Sequence, residues 1–473
     1  MKMNFVLIMC DQQLREHLGC YGSRYGVTPN LDRLAREGVA FENAYTACPV
    51  CTPARGAIFT GRTPHMCGAY TNGMPLYETV PTMGEIFARH GYRTGYIGKW
   101  HLDGDGSYMG SGRAARGFPD AVWYDGCRYL DELTPAEQKL GYGSCDNATL
   151  RARDLPDSLC WATRSSDRAV DFITRHADGE EPFLLVVSYD EPHPPANCPA
   201  RFLDVVREED IVVPESLCDP LEGKPATHRK WQAADVKQYN VNAGTMREGI
   251  HRYLACNAYV DAEIGRVLDA VDAHCREETV VVYTADHGDF MGQFGFTGKG
   301  AAMYEQITGV PLLVRAPKRV RPGSRTRALA STMDCIPTLL DLAGIPADIP
   351  LDGTSLVAAL DDPAAAPRDA VFVEFNRYGT TQTVTGGFWP IRCIRRARWK
   401  LALNCFDTDE LYDLETDPGE LHNRIDDPNC AAVRDDLHDQ LLRYLDRVND
   451  PLRGDCWAKR PWRTSPSIRF TIA

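Results

Sequence analysis

Thr279-Val280-Val281-Val282-Tyr283-Thr284-Ala285-Asp286-His287-Gly288-Asp289 is a β-branched apolar run that stops on a polar cluster. A short apolar run without alternation reads as a strand covered on both faces, the habit of parallel sheets flanked by helices. Comparable runs at 5–9, 92–97, 183–188 and 310–315 alternate with long helical stretches. The expected fold is therefore α/β, with a large, mostly parallel central sheet between helices.

Open α/β sheets bind ligands at the carboxyl ends of their strands. The first run ends on Asp11-Gln12, the next on Gly98-Lys99-Trp100-His101, and another on Tyr189-Asp190-Glu191-Pro192-His193-Pro194. The opening stretch ends on Asp286-His287-Gly288-Asp289, with Lys299 a short loop further on. One such cluster commonly just caps the next helix; four in register point to a shared active site. Asp11, Gln12, Asp286 and His287 offer mostly hard donors, which suit calcium, magnesium or manganese better than a thiolate-loving ion. Arg55, Lys99, His101, His193 and Lys299 supply positive charge around a tetrahedral oxyanion. The chain as a whole carries 52 Lys and Arg against 65 Asp and Glu, a formal charge of -13. That balance excludes a nucleic-acid surface driven by bulk charge, so any anion must be met by a local positive pocket.

The 473 residues exceed one simple core. Thr28 caps a predicted helix with Pro29 in its first turn, Leu31 and Leu34 inward, and Gly38 as its stop. Thr82 and Glu85 form a capping box ahead of a helix stopped by Gly91. The longest helix, 246–274, carries Tyr253, Cys256, Val260, Ile264, Val267 and Val271 on one face. A linker at Asp361-Asp362-Pro363-Ala364-Ala365-Ala366-Pro367 separates a catalytic domain, 1–365, from a C-terminal subdomain, 366–473. Short strands at 371–375, 390–394, 399–404 and 410–414 and a helix at 431–449 make the latter a small antiparallel sheet with one helix. Its loop through Asn376-Arg377-Tyr378 and Gly386-Gly387-Phe388-Trp389-Pro390 is expected at the mouth of the pocket, Arg377 beside aromatics fitting a sugar or aryl group and ordinary packing alike. The tail Cys456-Trp457-Ala458-Lys459-Arg460-Pro461-Trp462-Arg463 reads as an arm around a neighbouring subunit of a homo-oligomer. No run approaches the roughly 18 to 20 apolar residues of a membrane span, and the first apolar run is too short for a signal peptide. The expectation is a cytoplasmic protein without membrane or nucleic-acid partners, its 17 cysteines mostly reduced.

Cys48-Pro49-Val50-Cys51-Thr52-Pro53-Ala54-Arg55-Gly56 leads into a helix through 57–60. Three readings fit parts of it. Cys48 and Cys51 form a C-x-x-C redox pair, which leaves Pro53 and Arg55 without a role. A zinc site needs a second pair at matching spacing, and the chain has none. Taken as one unit at a helix N-terminus, Cys51, Pro53 and Arg55 make a place where an anion is favoured.

Cys51-x-Pro53-x-Arg55 resembles the signature by which sulfatases have their active-site cysteine converted to formylglycine. Further blocks resemble that family in family order: Thr28-Pro29-Asn30-Leu31-Asp32-Arg33-Leu34-Ala35, Gly98-Lys99-Trp100-His101, Pro192-His193, Asp286-His287-Gly288 and Asp334-x-x-Pro337-Thr338-Leu339. So does Glu410-Leu411-Tyr412-Asp413-Leu414 with Asp417-Pro418. On these blocks, spread over nearly the whole chain, it is identified as a member of the type I sulfatases, within the alkaline phosphatase-like superfamily. The likeness is greatest to cytoplasmic bacterial sulfatases of poorly defined substrate. The resemblance implies a sulfuric ester hydrolase acting on an organic sulfate, carbohydrate or aryl. It also implies a formylglycine (3-oxoalanine) made from Cys51 by a maturation enzyme, and one divalent metal, calcium first and manganese second.

The implied chemistry gives each residue a task. A serine that took sulfate would be left as an ester about as inert as the substrate. A hydrated aldehyde at position 51 attacks sulfur with one hydroxyl and expels sulfate once the other is deprotonated. By resemblance Asp11, Gln12, Asp286 and His287 hold the metal together with residue 51, while Arg55 and Lys99 orient and activate the diol. His101 is the base for collapse, Lys299 clamps sulfate oxygens, and His193 protonates the leaving alcohol. Asn72, in Thr71-Asn72-Gly73, either meets the substrate oxyanion or only forms a turn. Two departures stand out: Ala54 where Ser is commonest, and Gln12 and His287 where many sulfatases place a second Asp and an Asn. The latter brings manganese forward. It also resembles phosphonate monoester and phosphodiester hydrolases with the same signature, the alternative activity. That group tends to replace the lysine and histidine of the Gly98-Lys99-Trp100-His101 block, so their retention favours sulfate esters. Two other classes stay open: a non-catalytic oxyanion binder, which would not need Cys51, and a thiol-disulfide protein, which would need Cys48 as well.

Overall fold

The structure is a computed structural model that describes residues 3–104, 108–142, 146–380, 387–457 and 459–465. Eight strands build the first sheet: β1 (Asn4–Cys10), β2 (Val39–Tyr45), β3 (Arg93–Gly98), β4 (Trp123–Tyr124), β5 (Phe183–Tyr189), β6 (Thr279–Ala285), β7 (Leu312–Arg315) and β8 (Ser324–Ser331). Their order is β4-β3-β5-β1-β6-β7-β2-β8. β7 alone runs against its neighbours; the other pairings are parallel. Every residue of β1, β5 and β6 is buried. Alternate side chains serve two cores: Leu7, Val186 and Val282 on one face, Ile8, Val187 and Val281 on the other. Two-sided burial is the physical reason these runs do not alternate in sequence.

Three strands escape the sequence reading: β4, only two residues long, and β2 and β8. β2 and β8 carry Glu42, Arg325 and Arg327, which look like loop residues until the strands pair and Glu42 meets both arginines, at 2.9 and 3.3 Å. The run expected at 310–315 shortens to β7 and is antiparallel. Helices α1 (Pro29–Glu37), α2 (Cys51–Thr60), α3 (Pro64–Cys67) and α4 (Met83–Arg89) follow in the first quarter of the chain. The Thr82–Glu85 capping box of α4 is present. At α1 the expected cap is corrected: Thr28 Oγ1 accepts the Gly19 N–H at 2.9 Å and leaves its own helix uncapped. Gly38 is likewise no left-handed stop, since its φ is −131°. A Cβ there would lie 2.3 Å from the Val314 carbonyl oxygen, so the close approach of β7 requires the glycine. The long helix Ala243–His274 buries the six residues expected on its inner face.

The second sheet contains β9 (Ala370–Phe375), β10 (Ile391–Arg396), β11 (Trp399–Asn404) and β12 (Glu410–Asp413), antiparallel in the order β12-β11-β10-β9. Helix Ala431–Arg447 covers one face through Leu437, Leu441 and Leu442. The other face packs Val373, Phe375 and Ile391 against Cys48 and Val50, and the Glu374 N–H donates to the Ala47 carbonyl at 2.9 Å. The small sheet therefore braces the loop that leads into Cys51. The tail lies on its own subdomain. Trp462 Nε1 donates to Asp409 at 2.9 Å, Arg434 donates to the Trp462 carbonyl at 2.7 Å, and Arg463 reaches Asp439 at 2.8 Å. These internal partners leave no free aromatic arm among the described residues; Ala458 and Gly386 fall outside them. No described helix is long and apolar enough to cross a membrane.

His65, in α3, adds a polar contact to the second sheet. Its Nδ1 lies 2.6 Å from Glu374 Oε2 and its Nε2 3.0 Å from the Val448 carbonyl. Both nitrogens face acceptors, so the ring is held as the imidazolium. Burial opposes that charge, but Glu374 outweighs it and the pKa is pushed up to about 9. A raised folded-state pKa gives stability that is fully present below the ordinary histidine value and lost as pH rises through about 9. His65→Gln should therefore lower the apparent Tm most below about pH 6.5, by the equivalent of roughly 3 kcal/mol, with the gap closing above about pH 9. Melting curves of both proteins across that range check it.

Candidate active site

Arg55 lies on α2, a helix with all ten residues buried, and its guanidinium is inaccessible to solvent. Nη2 donates to Asp11 Oδ2 and Nε to Asp286 Oδ2, both at 3.0 Å. Nη1 donates to the Lys99 carbonyl at 2.6 Å and to Ser188 Oγ at 2.9 Å. One side chain thus ties together the ends of β1, β3, β5 and β6. Helix α2 begins at Cys51 itself, with Pro53 in the first turn where its missing N–H is not needed. Asn72 Oδ1 accepts the Thr52 N–H at 2.9 Å. Asn72 is therefore placed at the start of the Cys51 helix, a contact neither sequence reading anticipated.

Lys99 follows Gly98, whose φ is +108° and whose Cβ, if present, would lie 1.9 Å from the Ser188 carbonyl oxygen. Only glycine fits that turn. The buried Lys99 Nζ is 2.7 Å from Asp11 Oδ2 and 3.1 Å from Asp190 Oδ1. Burial pushes the Asp11 carboxyl up, yet Lys99, His193 and Arg55 outweigh it and hold it well below the usual range. Asp286 goes the other way: burial, with Asp11 alongside, raises it to about 7. Cys51 Sγ sits 3.2 Å from His287 Nε2 and 3.7 Å from Asp11 Oδ1. Burial and Asp11 act against its ionisation, but Lys299, Lys99 and His287 prevail and bring the thiol well below its ordinary value. Cys48, in contrast, lies among Val50, Val373 and Phe375, and burial raises its thiol. All described cysteines are free.

The ligand atoms of Asp11, Cys51, Asp286 and His287 lie within 4.8 Å of one another. His287 Nδ1 is 2.9 Å from the Gly288 carbonyl, which places the proton there and leaves Nε2 for the cluster. Gln12, expected among the metal ligands, is engaged elsewhere: its amide nitrogen donates to Asp289 and its amide oxygen accepts from Lys299 Nζ. His101 contacts the Cys51 sulfur, and burial lowers its pKa, keeping the imidazole neutral. His193 stands at the opposite side, Nε2 4.0 Å from Asp11 Oδ1. Gln12, His193 and Lys299 open onto a cleft of about 720 Å³ that also carries Trp231, Arg252 and Tyr378. The lining of the cleft includes Tyr378 but not Arg377, whose carbonyl accepts the Thr71 hydroxyl at 3.0 Å. Asp190, Asp289, Ser188 and Tyr108 join the site without having been assigned. The first two lie in the strand-end clusters, so their position was visible and only their partners were not.

The sulfatase family model matches residues 3–345, and one for the C-terminal part of N-sulphoglucosamine sulphohydrolase matches 292–447. An uncharacterised sulfatase of Escherichia coli K12, YidJ, is 42% identical over 473 residues, covering 99% of this chain and 92% of that protein. A solved structure of a protein in complex with its substrate D-glucosamine-2-N,6-O-disulfate aligns with a TM-score of 0.78 at 22% identity, covering 95% of this chain and 99% of that one. Phosphonate monoester hydrolase of Agrobacterium radiobacter aligns at 0.75 and 23% identity, covering 94% and 96%. The chain belongs to the sulfatase family and has its alkaline phosphatase-like fold. It is an enzyme, a hydrolase of sulfate esters.

Removal of the Arg55 charge should leave two buried carboxylates without their shared partner. Arg55→Met is expected to cost about 3–5 kcal/mol, and Arg55→Lys to recover only part, because one ammonium cannot serve four acceptors in a plane. Denaturant midpoints of the three proteins check the order.

Proposed function

We propose that this sulfatase cleaves the sulfate ester of a carbohydrate or aryl alcohol, using a formylglycine made from Cys51 and one divalent cation, calcium or manganese. The observation that carries the reading is the setting of Cys51: first residue of a buried helix, against Asp11, His287 and His101, and under the influence of Lys99 and Lys299. Its Sγ stands where the hydroxyls of the hydrated aldehyde would be, and that hydrate supplies both a nucleophile and a release step. The donors of Asp11, Asp286, His287 and residue 51 lie close enough together to hold one ion and suit a hard or borderline cation. Such a cation polarises a sulfate oxygen and eases ionisation of the nucleophile.

The chain's own residues do the rest. Arg55 and Lys99 keep Asp11 charged and aligned. Neutral His101 receives the proton from the second hydroxyl of residue 51. Lys299, at the cleft floor, meets sulfate oxygens, and His193 donates a proton to the departing alcohol, whose carbon skeleton occupies the cleft. Asn72 acts through the helix start that it holds. A division of labour at 365/366 belongs to the same reading, the C-terminal unit bracing the Cys51 loop and contributing Tyr378. We place the enzyme in the cytoplasm, where a formylglycine-generating enzyme is its maturation partner.

The test is kcat/KM on matched aryl sulfate, phosphate monoester, phosphodiester and phosphonate monoester, using protein co-produced with the maturation enzyme and Cys51→Ala as the blank. The reading expects sulfate to be preferred and the blank to be inert. Preference for the diester or phosphonate would replace the sulfate reading by the alternative hydrolase. For the cation, adding Ca²⁺ or Mn²⁺ to chelator-treated protein should raise Tm by mass action in wild type and much less in Asp286→Asn. Equal shifts in the two proteins would remove Asp286 from the metal set.

A further inference from the structure

Tyr108 lies inside the ring of catalytic groups although no sequence block carries it. Lys99 Nζ sits 3.6 Å from its ring centroid, and the rings of His101 and His193 are 5.6 and 5.0 Å away. Its hydroxyl bonds Asp190 Oδ1 and lies 3.0 Å from His193 Nδ1. The proton positions follow from what each neighbour can do. The Pro194 carbonyl, 2.7 Å from His193 Nδ1, only accepts, so Nδ1 carries a proton. The Tyr108 oxygen shares that N–H as an acceptor, and its own proton goes to Asp190, which Lys99 Nζ holds from the other side at 3.1 Å. Gripped at Nδ1 by two acceptors, His193 turns Nε2 toward the reaction centre at the rim of the cleft.

We propose that Tyr108 is a positioning residue for the reaction, fixing with Asp190 the ring plane and tautomer of His193 so that Nε2 meets the departing alcohol oxygen. The inference rests on the acid role given to His193 above. In that step the oxygen of residue 51, attacking as the alkoxide after its hydroxyl has given up its proton to solvent, forms a bond to sulfur while the bond from sulfur to the alcohol oxygen breaks. The electron pair of the broken bond stays on the alcohol oxygen, which takes the Nε2 proton. The imidazole left behind is the Nδ1–H tautomer, the form that Pro194 and Tyr108 hold. A chain from Lys99 through Asp190 and Tyr108 to His193 thus joins the side that prepares the nucleophile to the side that releases the alcohol.

Tyr108→Phe removes the hydroxyl and keeps the ring beneath Lys99. Its kcat/KM is compared with wild type, His193→Ala and the double variant over a series of sulfate esters running from activated aryl to alkyl leaving groups. The expected loss is about tenfold or more on the poorest leaving group, part of the ~100-fold or more that a positioned acid contributes, and it shrinks to about threefold or less on the most activated. The double variant should be no worse than His193→Ala alone. An equal loss at every leaving group, or losses that multiply in the double variant, would overturn the proposal. Tyr108→Leu, which also lacks the hydroxyl, must tilt the series the same way and gives the answer if Tyr108→Phe folds poorly. Cys51→Ala in parallel separates the two levels: turnover surviving there defeats the formylglycine reading, whereas turnover that needs Cys51 but ignores the Tyr108 hydroxyl defeats only this inference.

Discussion

A single buried guanidinium, that of Arg55, reconciles the groups at the heart of this enzyme. Asp11 and Asp286 are both inaccessible to solvent, and like charges so placed would ordinarily not both ionise. Arg55 bonds one oxygen of each and adds the Lys99 carbonyl and Ser188, so four strand ends share one planar donor. Of these two carboxylates, Asp11 is the one that Lys99 also reaches, at 2.7 Å. The compensation is uneven: Asp11 is held low, whereas Asp286 is left raised. A divalent cation among Asp11, Asp286, His287 and residue 51 would correct that imbalance.

The scaffold keeps this arrangement from relaxing. Helix α2 is buried along its whole length, Ile58 and Phe59 in the core of the first sheet and Ala57 against Met333, while the second sheet packs on Cys48 and Val50 just before it. Side chains built on enclosed helices and strand ends have little freedom to drift, the condition for electrostatic preorganisation. The cleft side differs, because His193 and Lys299 face open space where an alcohol of unspecified shape can lie. Rigidity is concentrated at sulfur chemistry, and variety is left to the leaving group.

The central sheet and the clustering of Cys51 and Arg55 with the strand ends were legible in the chain because their signals are local. β1, β5 and β6 are covered on both faces and so read as unbroken apolar runs, and each stops at the residues that face the site. Cys51, Pro53 and Arg55 lie within one turn and a half of helix, so their spacing carries their relation. What was illegible depends on partners far away in sequence. The charges of β2 and β8 make sense only when Glu42 meets Arg325 and Arg327. Gln12 has the right neighbours for a metal ligand, but nothing nearby in the chain reports that its amide also meets Asp289 and Lys299. Arg377 and Tyr378 differ by one residue along a loop, which decides which side chain faces the cleft, and no periodicity reports that. The tail resembles a free arm until Asp409 and Asp439 are seen to hold it. Tyr108 had no signal, since its meaning comes from Lys99 at the end of β3 and from Asp190 and His193 in the segment after β5.

Position 51 is the claim on which the account stands, and the mass of one peptide tests it most directly. Cleavage after Arg36 and Arg55 yields a peptide carrying both Cys48 and Cys51. In active protein the account predicts an aldehyde in place of the thiol at 51, an intact thiol at 48, and turnover that rises in proportion to the aldehyde fraction across preparations. Full sulfate ester hydrolysis by protein in which Cys51 remains an unmodified thiol would contradict it.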